Sequence, residues 1–130
     1  MNRRKRTQFW GKNENDDFLI RQIIRGEKTA TASPAHLYQA PDGNYDDGGY
    51  EEGDIVDVYD LKERLRCVIQ ITEVYETKFG EIPEKLWKGE CNESAREFQK
   101  EHLACWSEFG ITSEFSIIAN HFKLLEVIRA

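Results

Sequence analysis

Apolar residues recur along this chain with two different periods, and the switches between them divide it into elements. From Asp16 to Arg25, the residues Phe18, Leu19, Ile20, Ile23 and Ile24 fall on roughly one side of a helix. Asn15 or Asp16 can cap its start, and Gly26 can end it in a left-handed conformation. The stretch "KTATAS", Lys28 to Ser33, then reads as a strand because its threonines are β-branched. Pro34 opens a short helical turn in "PAHLYQA". Residues 41–53, "PDGNYDDGGYEEG", form the one clear loop. Beyond it, "DIVDVYDL" and, after a turn around "KER", the longer "LRCVIQITEVYETKFG" predict a hairpin of two strands. Alternation puts Cys67, Ile69 and Ile71 on one face of the longer strand, with Val68 and Val74 opposed. "IPEKLWKGE" predicts a short helix or turn. "NESAREFQKEHLACWSEFG" predicts a longer helix between Asn92 as cap and Gly110 as stop, and "EFSIIANHFKLLEVI" a terminal strand. The order α, β, ββ, α, β lacks a βαβ rhythm. It argues for an α+β fold around a mainly antiparallel sheet or partial barrel.

Length and composition bound this picture. At 130 residues the chain is one domain that can bury a core without disulfides or metal. Its apolar fraction of 39 % and aromatic fraction of 12 % fit a folded protein. No stretch approaches the apolar length of a membrane span, and no apolar segment follows the basic N-terminus as a signal peptide would require. The three cysteines, Cys67, Cys91 and Cys105, have no CxxC spacing and suit a reducing cytoplasm.

Charge adds an asymmetry. Residues 1–12 hold five basic and no acidic residues, so the rest of the chain carries −11 against a formal net charge of −6. A body that acidic repels a phosphate backbone, which argues against tight non-specific duplex binding. The run "RRKR" reads as a disordered, solubilising tail. The expected organisation is therefore a basic arm over residues 1–8 and a single domain over residues 9–130.

Several constellations invite chemistry and fail on inspection. Asp42, Asn44 and Asp46 match the opening of an EF-hand loop, but Asp47 stands where its glycine belongs and Gly53 where its bidentate glutamate belongs. Cys91, His102 and Cys105 supply only three soft ligands for zinc. A Cys–His nucleophile has no identifiable orienting third residue. His102 lies among Phe98, Leu103 and Trp106 at helical spacing, a pattern that points to packing before it points to a ligand.

One stretch resists the bland reading. "GEKTATAS" crowds Lys28, Thr29, Thr31 and Ser33 where a helix hands over to a strand. Taken in order with "GDIVDVY", "EKLWKGECNES", "EFQKEHLACW" and "IIANHFKLLEV", it resembles the ASCH (activating signal cointegrator homology) domain family of the PUA-like superfamily, over about Phe9 to Val127. The resemblance implies a small, mostly antiparallel β-barrel with flanking helices and a cleft floored by "GEKTATAS". It also implies an RNA- or nucleoside-directed protein. In the N4-acetylcytidine amidohydrolase branch, the lysine proton acceptor would fall on Lys28, the threonine nucleophile on Thr31 and the glutamate proton donor on Glu90. This chain departs from that branch in its greater length, its 41–53 loop and its extended "AREFQKEHLACW" helix, and so is closer to the larger ASCH proteins. Thr29, Ser33, His102, Trp106 and His121 are the further candidates for substrate contact.

Amide hydrolysis needs a nucleophile, a base to strip it and an acid for the leaving amine. Lysine serves as base only if burial lowers its pKa, and glutamate as acid only if its own is raised. A close Lys28–Glu90 ion pair opposes both roles unless the two share a proton in a dry cleft. In a regular strand Lys28 and Thr31 also point to opposite faces, while Thr29, Thr31 and Ser33 share one. The expected activity is a small hydrolase acting on a modified nucleoside such as N4-acetylcytidine. The alternatives are a non-catalytic RNA- or nucleotide-binding module, in which Trp10, Tyr38 or Trp87 would stack on a base, and a ribonuclease using the same cleft with His102 or His121 moving protons. No cofactor, metal or membrane partner is expected, and the partner is a small nucleoside, a nucleotide or RNA.

Overall fold

The computed structural model describes residues 4–9, 12–38 and 49–128. Trp10 and most of the acidic 41–53 loop lie outside the described residues. The fold is built on a curled five-stranded sheet in the order β1-β3-β4-β5-β2, which forms a half-barrel. Its strands are β1 (Arg4–Gln8), β2 (Ala30–Pro34), β3 (Ile55–Tyr59), β4 (Leu65–Lys78) and β5 (Ser116–Val127). Among the described residues three α-helices, α1 (Phe18–Ile24), α2 (Glu84–Gly89) and α3 (Ala95–Cys105), pack around it. The α+β class and the mostly antiparallel, barrel-like sheet expected from the sequence hold, with one parallel pair added. No helix among the described residues is long and apolar enough to cross a membrane.

The hairpin β3–β4 is antiparallel, as predicted. Its turn is organised by Asp60, which is 2 % exposed; its Oδ1 accepts from the backbone N–H groups of Lys62 and Arg64, and its Oδ2 from the Arg64 and Arg66 side chains. Helix α1 starts where Asp16 Oδ1 accepts from Phe18 N, and it ends at Gly26 in a left-handed conformation (φ 78°). Helix α3 is shorter than its sequence pattern. Ser94, not Asn92, caps it by accepting from Glu97 N. The run to Gly110 finishes as a short 3₁₀ turn over Ser107–Phe109.

The basic N-terminal segment corrects the tail reading, because Arg4–Gln8 is the edge strand β1, paired in parallel with β3. Polar side chains hold it there. Arg4 forks onto the Asp57 carboxylate. The Lys5 ammonium is buried, 3.0 Å from Asp54 Oδ2, and donates to the Gly49 carbonyl at 2.8 Å.

Two apolar clusters lie on opposite faces of the sheet. One packs Ile20 and Ile23 of α1 against Val56, Val58, Cys67, Ile69, Ile71 and Phe122. The other packs Leu86 of α2 and Phe98 of α3 against Ala30, Ile117 and Ala119. Strand β2 therefore has two working faces. Ala30 and Ala32 look towards α2 and α3, while Thr31 and Ser33 look towards the α1 side. The expected sharing of a face by Thr31 and Ser33 follows from this alternation.

Candidate functional site

The site assembles at the start of β2, where three elements converge. The Thr29 carbonyl accepts from Phe122 N at 2.9 Å, and the register pairs Ala30 with His121 and Thr31 with Asn120. The Thr29 carbonyl thus faces β5, and by the alternation of the antiparallel ladder the C=O of Ala30 points away from β5, to the free edge of the sheet. The turn after Gly26 carries Lys28 to that edge. There its ammonium donates to the Ala30 carbonyl at 2.8 Å.

Helix α2 delivers the second group. Its last residue, Gly89, accepts from Thr29 N at 2.8 Å. Glu90 follows immediately, and its Oε1 lies 3.1 Å from Lys28 Nζ. The chain then leaves through Cys91 in a left-handed conformation (φ 66°). The side chains of Lys28 and Glu90 are 3 % and 10 % exposed, so this is a buried ion pair.

Helix α3 delivers the third. Phe98 is fully buried, and His102 stacks on it one turn later with ring centroids 3.9 Å apart. His102 Nδ1 donates to the Phe98 carbonyl at 2.7 Å, which assigns the proton to that nitrogen. Nε2 then faces Glu90 Oε2 at 3.4 Å. Oε2 is buried and otherwise has no hydrogen-bond partner. The packing expected for His102 is met on Phe98, while its Nε2 edge turns to Glu90.

Electrostatics follow from this enclosure. Burial works against charge on Glu90, but Lys28 and His102 outweigh it and hold the carboxyl below its ordinary range. Burial likewise disfavours charge on His102, and the Glu90 carboxylate overcomes it to raise the imidazole above its ordinary value. The Glu90 carboxylate is therefore favoured by both of its basic neighbours.

A second pair stands beside the first. His121, the cross-strand neighbour of Ala30, stacks on Tyr75, and its Nε2 is hydrogen-bonded to the Tyr75 hydroxyl at 2.9 Å. Burial lowers the pKa of His121 against the pull of Glu73 and Glu90, and burial pushes the Tyr75 hydroxyl up to about 12. Burial thus favours the neutral form of both members of this hydrogen-bonded pair.

The other predicted residues are placed as follows. Thr31 and Ser33 are half-buried on the α1 side of β2, away from α2 and α3. Thr29 is exposed beside Gly89. Trp106 sits between His102 and Phe115, with centroids 4.7 and 6.2 Å away. Trp87 packs on the cluster of α2 and α3, and the Tyr38 hydroxyl bonds Asn120. Lys28, Glu90 and His102 therefore come together directly, and Thr31 is one peptide unit away, behind the carbonyl that Lys28 holds. Sequence reasoning missed Tyr75 and Asn120. Asn120 carried a signal, since it lies between Ile118 and Phe122 on one face of an apolar strand, where a polar residue is buried by position.

Residues 5–126 match the ASCH domain family. No curated protein matches the chain. Among solved structures, the ASCH domain of Lactobacillus crispatus superposes with a TM-score of 0.70 at 22 % identity, over 92 % of this chain and 80 % of that one. A protein from Enterococcus faecalis gives 0.73 at 16 % identity, over 94 % and 77 %. A mutant ASCH protein of Zymomonas mobilis gives 0.53 at 10 % identity, over 95 % and 71 %. At these identities the likeness is one of fold. The family match spans nearly the whole chain, from the buried Lys5 of β1 to the end of β5, and this protein belongs to the ASCH domain family.

Proposed function

We propose that this ASCH protein is a small amidohydrolase acting on an acylated amine of a modified nucleoside, with Lys28, Glu90 and Thr31 as its working set. One observation carries the reading. The Lys28 ammonium, paired with Glu90 in a buried cluster, is hydrogen-bonded to the carbonyl that joins Ala30 to Thr31. Lys28 and Glu90 thus meet directly, and the Thr31 peptide begins at the carbonyl that Lys28 holds.

The chemistry requires a proton to move within the pair. In the resting state Lys28 and Glu90 attract each other, and neither can act. When a substrate covers the cluster, desolvation disfavours both charges and shifts the shared proton from Lys28 to Glu90. The neutral amine then accepts the Thr31 proton, and the protonated carboxyl supplies the leaving amine. His102, charged beside Glu90, modulates where that proton rests.

The test follows N4-acetylcytidine hydrolysis by chromatography for the wild type, Lys28→Ala and Thr31→Val. Turnover by the wild type that both variants lose is the expected result. An inert wild type at high enzyme concentration rejects this substrate.

A second reading has its own support. Glu90 is held charged by two cations, and a stable ion pair suits a contact to a nucleotide or RNA better than it suits proton transfer. A binding module of this kind would lose RNA affinity steeply with added salt, whereas recognition of a neutral nucleoside would barely respond. A ribonuclease using His102 or His121 would cut RNA under the same conditions.

A further inference from the structure

A cavity of about 560 Å³ opens where α1, the β3–β4 turn and the end of β5 meet. The Lys28 cluster has no part in it. Backbone pairing brings its strands together: Ile128 N donates to the Arg66 carbonyl at 2.9 Å, and Val127 pairs with Cys67. Ile24, Leu65, Val127 and Ile128, all half-buried, give the cavity an aliphatic wall. Beside that wall it is lined by Arg21, Arg64 and Arg66, with Asp17 as the one acidic residue of the lining.

Two carboxylates hold the three arginines in place. Arg66 Nη1 lies 2.9 Å from Asp17 Oδ2 and 3.2 Å from Asp60 Oδ2, which ties α1 to the hairpin turn. Arg64 Nε donates to Asp60 Oδ2 at 2.9 Å, and Arg21 Nε lies 2.9 Å from Asp17 Oδ1. Burial works against charge on both carboxyls. The arginines and backbone N–H groups outweigh it and hold both below the ordinary carboxylate range. Three guanidinium groups against two carboxylates leave one positive charge in excess. A guanidinium also carries more N–H donors than these contacts use. Nε and Nη2 of Arg66 and both Nη groups of Arg21 make no hydrogen bond or ion pair to another described residue.

An ion-pair network that served stability alone would match its charges. Here cations outnumber anions beside open space, and an anion completes the balance. The donors come from α1 and from the start of β4, so they approach from more than one direction. A planar carboxylate matches a single guanidinium fork, whereas the oxygens of a phosphate can accept from several. The aliphatic wall offers surface for a sugar and base, and the volume lies within the range of small-molecule sites. The formal net charge of −6 makes such a spot exceptional on this chain and disfavours a long polyanion elsewhere on it.

We propose that Arg21, Arg64 and Arg66 form a phosphate-binding site for a nucleotide, separate from the Lys28 cluster. At the rise of a strand, Val127 lies about 20 Å along β5 from His121, beyond the reach of one nucleotide. The phosphate held here therefore belongs either to a free nucleotide or to a neighbouring position in an RNA strand. Direct guanidinium contacts also make binding weaken with added salt.

The test follows backbone amide resonances of the isotope-labelled full chain. It is titrated separately with cytidine monophosphate, cytidine, inorganic phosphate, acetate and a short single-stranded RNA without terminal phosphates. The monophosphate and inorganic phosphate should move the amides of Leu65, Cys67 and Ile128, and cytidine and acetate should not. Movement by RNA but not by the monophosphate identifies a strand as the source of the phosphate, and the converse a free nucleotide. Arg21→Gln with Arg64→Gln leaves Arg66 on both carboxylates and should weaken phosphate binding about tenfold or more. Arg21→Gln alone keeps every contact of Asp60, so a folded variant with lower affinity is available whatever the double variant does. Amide shifts confined to Lys28, Gly89 and Glu90 would place the phosphate in the other site and overturn the proposal. So would an equal response to acetate, no response to any phosphate, or unaltered affinity in the folded arginine variants.

Discussion

Gly89 touches Ala30 so closely that a Cβ built on the glycine would lie 2.6 Å from the Ala30 Cβ and 3.1 Å from Thr29 Oγ1. The glycine serves space, not backbone freedom. It lets the end of α2 lie against β2, where its carbonyl accepts from Thr29 N, and this sets Glu90 on Lys28. Gly89→Ala should destabilise the protein by about 1–3 kcal/mol, as overpacked cores do. It should also separate the ion pair. Urea unfolding and an activity assay on the same variant check both effects. Unchanged stability would mean that β2 yields easily at this point.

The Lys28–Glu90 pair should be more costly to break than to remove. Lys28→Met leaves a buried carboxylate with only His102 for compensation, and such single removals cost about 3–5 kcal/mol. Replacing both residues, as Lys28→Met with Glu90→Leu, should recover much of that loss, because apolar packing substitutes for a desolvated pair. Denaturation midpoints of the two variants decide it. A double variant no more stable than the single one would show that the pair contributes net stability.

Much of this arrangement was legible in the sequence, for physical reasons. Helix α1, the β3–β4 hairpin and β5 carry apolar periods that match their buried faces, so pattern alone located them. Lys28 and Glu90 emerged only through the family resemblance, since no periodic rule links positions 62 residues apart. Strand β1 was hidden because its sequence, "RKRTQ", is polar throughout. It is held by Arg4–Asp57 and Lys5–Asp54, pairs whose partners lie far along the chain. The end of α3 was overestimated because a glycine stop marks the end of a helical run without separating α from 3₁₀ geometry.

The edge strand yields a prediction of its own. A chain lacking residues 1–8 should lose the Lys5 ammonium from beside the buried Asp54 carboxylate. Its thermal midpoint should fall, and exposure of β3 should promote association, which light scattering would record. A truncated chain as stable and monomeric as the whole would return this segment to the status of a tail.

The cysteines should separate by burial. Cys67 is fully buried in the sheet, and burial pushes its thiol up to about 11. Cys91 is half-buried, with burial again raising its thiol, and Cys105 is exposed at the end of α3. A thiol reagent followed by peptide mapping should label Cys105 first, Cys91 more slowly, and Cys67 only on unfolding. Early labelling of Cys67 would mean that the sheet opens locally.

Stability should fall on both sides of an intermediate pH, and the two limbs should belong to different groups. Glu90 has a folded pKa held below its ordinary 4.5, so its contribution is present above that value and is lost as pH falls through the lowered one. His102 has a folded pKa above its ordinary 6.5. Its contribution is complete below 6.5 and is lost as pH rises through the raised value. The groups facing this pair are Lys28, Cys91 and His121, and burial lowers the His121 pKa from its ordinary value. Thermal midpoints measured across both values should therefore show an acid limb and an alkaline limb for the wild type. His102→Gln should flatten the alkaline limb and keep the acid one. Glu90→Gln should weaken both, because the carboxylate raises His102 and is itself the acid-sensitive group. An alkaline limb that persists unchanged in His102→Gln would assign it to a group outside this cluster.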